Sequence, residues 1–259
     1  MKLSNALFLS LGFLLPAAMA HASDFNGDGR ADLTMAVQPT FKEGVVHVLF
    51  GTAGGLTSSG MQTLVAQTTP VISYPAVDTF GTAIAAGDFD HDGFDDLAVS
   101  VPYAWFKDVA AVGCVNVFRG TPNGLVPAGV LHQNKGGMKD KCELGDVFGW
   151  ALTSGDFDHD GYDDLAIGVM ETIGKFETAG AVHVVYGSKK GLTGKKDQFW
   201  TQNSKGVEGI AEVDDAFGSV LAAGDADGDG YDDLAIGIPY ESTDHGGIEV
   251  EGAVALLRG

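Results

Sequence analysis

The sequence predicts an all-β fold of repeated antiparallel units, and three observations carry that prediction. An acidic stretch containing glycine returns four times at near-constant spacing. An alternating run rich in β-branched residues, opened by glycine, follows each copy. No segment holds a long helical period, and 38 glycines against 8 prolines in 259 residues suit short strands joined by tight turns.

The N-terminal residues stand apart from this pattern. Lys2 is followed by an apolar run from Ala6 to Leu15 that is too short to span a bilayer. Pro16 follows, then Ala18-Met19-Ala20 and Ala20-His21-Ala22, both of small-x-small type. Residues 1–22 therefore read as a secretory signal peptide cleaved after Ala20 or Ala22, and the product as exported to the periplasm or outside the cell. No other segment has the length and apolarity of a membrane span, and no cysteine follows the apolar run to take a lipid anchor.

Residues 23–259 read as one domain of four units, about 23–79, 80–147, 148–216 and 217–259. The acidic stretches are SDFNGDGRADLT from Ser23, GDFDHDGFDDLA from Gly87, GDFDHDGYDDLA from Gly155 and GDADGDGYDDLA from Gly224. Their first aspartates, Asp24, Asp88, Asp156 and Asp225, are 64, 68 and 69 residues apart, the mark of an array of equal units. Phe80-Gly81, Phe148-Gly149 and Phe217-Gly218 each stand eight residues ahead of an acidic stretch. The runs GVVHVLFG from Gly44, GCVNVFRG from Gly113, GAVHVVYG from Gly180 and GAVALLRG from Gly252 follow. Each unit reads as strand A (Ala83 to Ala86 in the second), acidic turn, strand B (Leu97 to Val101), strand C (Cys114 to Arg119), turn and strand D (near Leu125 to Gln133). Four short antiparallel strands in under about seventy residues describe a β-propeller blade.

Numbered from its first aspartate, the second stretch has carboxylates at positions 1, 3, 5 and 9: Asp88, Asp90, Asp92 and Asp96. Glycine at position 6 allows a sharp turn, and the carbonyl of Phe94 at position 7 supplies a further oxygen. Six to eight hard oxygens are what calcium takes, and the order of the first ligands is that of an EF-hand loop. Position 12 is Val99 rather than a bidentate glutamate, and the flanks are strands, so this is a calcium loop closed by Asp96 within a hairpin. The third copy offers Asp156, Asp158, Asp160, Tyr162 and Asp164, and the fourth Asp225, Asp227, Asp229, Tyr231 and Asp233. The first offers Asp24, Asn26, Asp28, Arg30 and Asp32, one carboxylate fewer, so weaker binding is expected there. His91 and His159, at position 4, are expected only to face solvent. Random acid would not return to this spacing four times, and a catalytic carboxylate pair is needed once. The four stretches hold 18 of the 35 acidic residues, and up to four structural calcium ions would offset much of the net charge of −20. That charge argues against nucleic-acid binding, which needs a basic face.

These residues resemble the Phe-Gly/Gly-Ala-Pro (FG-GAP) repeat of the integrin α-subunit β-propeller and its bacterial relatives. The likeness rests on Phe-Gly, on Gly-Asp-φ-Asp-x-Asp-Gly-φ-Asp-Asp-Leu, and on an approximate Gly-Ala-Pro at Ser100-Val101-Pro102, Gly168-Val169-Met170 and Gly237-Ile238-Pro239. It implies structural calcium and partners on the opposite face of the ring. Integrin-type rings have seven blades, whereas four repeats stand here, the first without strand A and its Phe-Gly and the last without strand D. About fourteen strands are therefore expected, in a four-bladed propeller with reduced first and last blades or in an open arc completed by a second copy.

If strands alternate direction, the long B–C and D–A connections share the face opposite the calcium turns. Tyr103, Trp105, Phe106, Phe176 and Tyr240 put aromatic groups there, which suits recognition of a protein or a carbohydrate, although packing over the blade ends would explain any one of them equally. Cys114 and Cys142 are expected to form a disulfide tethering one connection, with two buried thiols as the alternative. No Gly-x-Ser-x-Gly, His-Glu-x-x-His or Cys-His signature is present. His47 and His183 share one strand position, and Glu241, Asp244 and His245 are the one loop cluster suited to a transition metal or to acid–base work. The expectation is thus a calcium-stabilised binding or adhesion module that is not an enzyme; the alternative is a carbohydrate- or lipid-active hydrolase or lyase.

Overall fold

The structure, a computed structural model, describes residues 23–37, 44–67, 69, 72–73, 79–242 and 251–259. The expected signal peptide, and Asp244 and His245, lie outside the described residues.

All regular structure among the described residues is strand. Sheet I holds β1 (Leu33–Val37), β2 (Val45–Leu49) and β3 (Gln62–Leu64). After β4 (Ile72–Ser73), sheet II is built from β5 (Ile84–Gly87), β6 (Asp96–Val101), β8 (Cys114–Arg119) and β9 (Val126–Leu131), with β7 (Trp105–Phe106) in the connection after β6. Sheet III holds β10 (Leu152–Gly155), β11 (Asp164–Val169), β12 (Ala181–Val185) and β13 (Gln198–Trp200). Sheet IV holds β14 (Val220–Gly224), β15 (Asp233–Ile238) and β16 (Ala253–Leu257). Each sheet is a simple antiparallel meander, so strands A to D appear where the repeat puts them. The four sheets hold fourteen described strands, with strand A missing from the first sheet and strand D from the last. The remaining pair, β4 with β7, is a ribbon the sequence did not suggest: Ile72 pairs Phe106 and Ser73 pairs Trp105.

Period-two alternation decides which side chains meet across the seams between sheets. In β6, Leu97, Val99 and Val101 face sheet I and join Val46, Val48 and Phe80 in one apolar cluster. Ala98, on the other side, joins Val115 and Val117 against Leu165, Ile167 and Val169 of β11. The pattern repeats at the third seam, where Ala166, Val182 and Val184 receive Leu234, Ile236 and Ile238 of β15. Phe80, Phe148 and Phe217 are fully buried, one at each seam, and burying such a ring contributes about 1.5–3 kcal/mol. The glycine after each is required by close approach: a Cβ on Gly81, Gly149 or Gly218 would stand 2.8 Å, 2.9 Å or 2.6 Å from a side chain of the preceding sheet.

β10 lies beside both β5 and β14, so the first strands of sheets II, III and IV run next to one another. No apolar cluster among the described residues joins sheet IV to sheet I. Their outer faces are open instead: Met35 and Val37 are 40% and 39% exposed on β1, and Val220 and Val254 reach 62% and 72% on sheet IV.

The expected disulfide is not formed, and both cysteines are thiols. Alternation turns Cys114 into the seam between sheets I and II, with Asn116 Nδ2 at 3.8 Å. Cys142 sits instead in the connection between sheets II and III, with its Sγ 3.8 Å from His132 Nδ1.

Candidate metal centres

Four loops of one conformation stand at one end of the sheets. In the last three a glycine–aspartate pair closes the hairpin, Gly87–Asp96, Gly155–Asp164 and Gly224–Asp233, and in the first Ser23 bridges Asp32. The aspartate at position 1 then organises the turn. Its Oδ1 accepts the N–H of position 5 and its Oδ2 that of position 6, at 2.7–3.1 Å in every copy. The carboxylate at position 5 accepts the N–H of position 7 at 3.0–3.1 Å. Position 6 is glycine at φ between 79° and 96°, and position 4 is also left-handed, as Gly27, His91, His159 and Gly228.

The position-9 aspartates are buried and bound by backbone. Asp32, Asp96 and Asp164 each accept the N–H of the glycine closing strand C, at 2.8 Å, and Asp233 does so at 3.4 Å. Burial pushes the carboxyls of Asp96 and Asp164 up to about 7, against the opposing pull of those N–H bonds and with further upward push from neighbouring loop aspartates. Burial also raises Asp32, Asp90 and Asp158. Carboxylates that lose water without gaining a cation hold their protons more tightly.

The loops bring carboxylate oxygens together as the spacing predicts. Ligand atoms of Asp88, Asp90 and Asp92 lie within 4.8 Å of one another, as do those of Asp156, Asp158 and Asp164, and of Asp225, Asp227 and Asp229. Such all-oxygen sets fit a hard cation such as calcium. The first loop, with Asn26 at position 3, does not form a three-carboxylate group. There Arg30 pairs with Asp28 at 3.1 Å.

Arginines missed by the sequence reading also reach two other loops: Arg119 Nη1 lies 3.8 Å from Asp90 and Arg258 Nη1 lies 2.8 Å from Asp227. Both stand immediately before the glycine that closes strand C, where the third unit has Tyr186. The third loop is therefore the one of the last three whose position-3 aspartate faces no arginine from that strand.

Position 8 has a role that inspection of single loops did not reveal. Asp95, Asp163 and Asp232 reach across a seam to the loop before their own. Their Oδ2 atoms accept the N–H of Asp24, Asp88 and Asp156 at 2.7 Å, 2.8 Å and 3.0 Å. In return their own N–H groups donate to the carbonyls of the same three residues at 3.1–3.2 Å. Gly87 and Gly155 make room, since a Cβ there would stand 2.6 Å or 2.7 Å from the incoming carboxylate. Position 8 of the first loop is Ala31. His91 and His159 also meet the next loop, their rings 5.8 Å and 4.8 Å from those of Tyr162 and Tyr231, so the expectation that they only face solvent is corrected.

The opposite end carries the long connections. Tyr103, Trp105 and Tyr240 are exposed there, while Phe106 and Phe176 are half-buried, each beneath a lysine ammonium, Lys107 at 5.2 Å and Lys175 at 5.1 Å. His47 bonds Thr63 Oγ1 at 3.0 Å, and its counterpart His183 is fully buried against Asp197 at 3.0 Å, so both serve the sheets.

Comparison with known proteins places these features. The FG-GAP repeat matches residues 80–104, 148–185 and 217–257. The chain is 35% identical over 164 residues to integrin alpha-PS5 of Drosophila melanogaster, a match covering 62% of this chain and 15% of that protein. It is 32% identical over 181 residues to phosphatidylinositol-glycan-specific phospholipase D of Mus musculus, covering 68% of this chain and 20% of that one. Integrin alpha-3 of Cricetulus griseus is 32% identical over 160 residues, covering 61% of this chain and 14% of that protein. The chain thus spans about a fifth or less of the length of these relatives. Among solved structures, the rhamnogalacturonan lyase PL11 of Bacillus licheniformis superposes with a TM-score of 0.49 at 14% identity, covering 84% of this chain and 39% of that one.

Proposed function

Because this chain carries FG-GAP repeats of the kind found in integrin α-subunits, we propose that it is an exported, calcium-braced β-propeller module of four blades that binds a protein or glycan partner. The observation that carries this reading is the division of labour between its two ends. One end repeats a single acidic loop four times with the same internal hydrogen bonds, as a scaffold would. The other end varies in length and sequence from unit to unit and exposes Tyr103, Trp105 and Tyr240. Rigid repeated scaffold with variable aromatic loops is an arrangement suited to recognition.

Calcium bound only by the folded chain stabilises it by about 2.7 kcal/mol per site at a hundredfold excess over Kd. Excess chelator should therefore lower the melting temperature, and calcium should restore it. Melting that ignores both would remove calcium from the reading. Binding is tested by screening the calcium-loaded chain against a glycan array and by protein capture, with Trp105→Ala and Tyr240→Ala as controls expected to weaken a hit without changing melting.

The alternative is a carbohydrate- or lipid-active enzyme, and one relative is a phospholipase D. This chain covers 20% of that protein, which argues for a shared module rather than shared chemistry. Turnover of any glycan or phosphoinositol glycan by the purified chain would reverse the choice.

The open outer faces support an arc completed by a second copy. Leu33, Met35 and Val37 hold the repeat positions that Leu97, Val99 and Val101 hold in a packed seam. Val254 and Leu256 hold those of Val182 and Val184, which receive the next sheet. Light scattering across a concentration series tests this, and a strict monomer at the highest concentration refutes it.

A further inference from the structure

The turns between strands C and D of the first three units, residues 51–56, 120–125 and 187–192, share one conformation and each ends in Gly-Leu. Thr52 Oγ1, Thr121 Oγ1 and Ser188 Oγ donate to the carbonyls of Gly55, Gly124 and Gly191 at 2.6 Å, 2.6 Å and 2.8 Å. The N–H groups of those glycines donate back to the carbonyls of Thr52, Thr121 and Ser188. The leucines of the second and third turns are drawn into the seam with the sheet before them. Leu125 is 2% exposed within the apolar cluster of the first seam, and Leu192 packs against that of the second.

The first seam shows how the turn is held. Gln62 of β3 grips the backbone of Leu125: its Nε2 donates to the Leu125 carbonyl at 2.5 Å, and its Oε1 accepts the Leu125 N–H at 2.9 Å. Gly124 lies against Phe50, where a Cβ would stand 2.8 Å from the ring. Phe25, Val48 and Leu64 complete the surroundings of the leucine.

At the third seam the same place is a cleft of about 320 Å³. Phe157, Val184, Tyr186, Gln198 and Trp200 line it from sheet III and its loop, at the repeat positions of Phe25, Val48, Phe50, Gln62 and Leu64. Leu257 and Arg258 line it from sheet IV. Among the described residues no C–D turn covers it. Gln198 turns back on its own sheet instead: its Nε2 donates to Tyr186 Oη at 2.5 Å, and its Oε1 accepts the Trp200 Nε1–H at 2.9 Å. The strand beside the cleft is open as well. β8 and β12 pair along their second edge with β9 and β13, whereas β16 pairs with β15 alone among the described residues. Such an edge offers its backbone N–H and C=O groups to an extended chain.

We propose that the edge of β16 and the adjoining cleft take up an extended segment of a partner protein in which leucine follows glycine. The segment lies antiparallel to β16 as a fourth strand, and its leucine enters the cleft among Phe157, Val184, Tyr186 and Trp200. Gln198 exchanges its bonds to Tyr186 and Trp200 for the backbone of that leucine, as Gln62 holds Leu125. The other seams identify the occupant, because these repeat positions already receive Gly-Leu twice within this chain. Main-chain bonds along the edge supply affinity and the apolar pocket supplies selectivity. The site rests on the repeat alone, so it stands whether or not the connection end binds a partner of its own.

The probe is a fluorescein-labelled peptide copying residues 121–132, TPNGLVPAGVLH. It is titrated against the full chain in saturating calcium and followed by anisotropy. Saturable binding of one peptide per chain is expected, with slowed hydrogen exchange across Ala253–Leu257 in the complex. The peptide carrying Leu125→Ala should bind about tenfold or more weakly, since it loses the buried side chain. In the protein, Gln198→Ala should weaken binding of the parent peptide about fivefold or more through two lost hydrogen bonds. No saturable binding up to about 1 mM peptide, equal affinity for the two peptides, or binding that leaves Ala253–Leu257 unprotected each overturns the proposal. Protection of β16 that appears without peptide and grows with chain concentration assigns the edge to a second copy, which also overturns it. If Gln198→Ala fails to fold, the peptide pair and the exchange measurement decide alone.

Discussion

Replacing Asp163 by alanine probes how the units are held together. Its Oδ2 receives the N–H of Asp88 at 2.8 Å across a seam. A hydrogen bond to a charged acceptor contributes about 1.5–3 kcal/mol. Burial raises the carboxyl's pKa, so desolvation takes back part of that gain and the lower end of the range is expected. A loss of about 1.5 kcal/mol lowers Tm by about 3–6 °C for a domain of this size. Thermal melting in saturating calcium is the assay. Gly87→Ala should do comparable damage, because its Cβ would stand 2.6 Å from the same carboxylate oxygen. Ala31→Asp is the matched control. It restores the repeat's residue at position 8, but among the described residues no loop precedes it to be bonded, so its effect should stay within about 0.5 kcal/mol. If Asp163→Ala melts within about 1 °C of the parent, or if Ala31→Asp shifts Tm as far, the cross-seam bond is not what fastens the units.

Three further outcomes are expected. In chelator, stability should fall as pH rises from about 4 toward about 7: Asp96 and Asp164 have folded values near 7, above their unfolded ones, so the folded state holds extra protons in that window and loses the advantage as they leave. Urea titrations at pH 5 and pH 8 check this, and equal stability would contradict it. Arg119→Met should raise calcium affinity at the second loop about two- to fivefold, since a surface arginine held at 3.8 Å from Asp90 competes with the cation by up to about 1 kcal/mol; metal-titrated calorimetry reads the change, and a loss of affinity would refute it. Thiol titration in denaturant without reductant should find two thiols per chain, with Cys142 reacting before buried Cys114 in the native state.

The strands, their order and the clustering of the loop carboxylates were legible because they depend on neighbours in sequence. Period-two alternation and the 1, 3, 5, 9 spacing are local signals, and the hairpins close where those signals place them. What escaped depends on distance along the chain. Asp163 reads within its own loop as one more acid, yet its partner lies 75 residues away. The buried bond from Gln133 Nε2 to Glu171 Oε2 joins residues 38 apart, and no one stretch displays it. The β4–β7 ribbon uses strands of two residues, too short to show a period. Cys114 and Cys142 looked like a pair from composition, but strand alternation aims Cys114 into the first seam. A signal for position 8 did exist, since Asp-Asp recurs in three copies and Ala-Asp replaces it in the first.

That replacement gives the row of sheets a direction. Each fastening runs backwards, from a unit's position-8 aspartate to the loop before it, so a unit with Ala31 at position 8 has no such carboxylate with which to grip a predecessor. At the far side, the N–H of Asp225 meets no such carboxylate among the described residues, and a Cβ on Gly224 would touch nothing within 4 Å. Two copies meeting head to tail could therefore bring oil to oil but not latch to catch. Their union would be loose and reversed by dilution, whereas any unit carrying Phe-Gly and an aspartate at position 8 would find the socket on sheet IV ready-made.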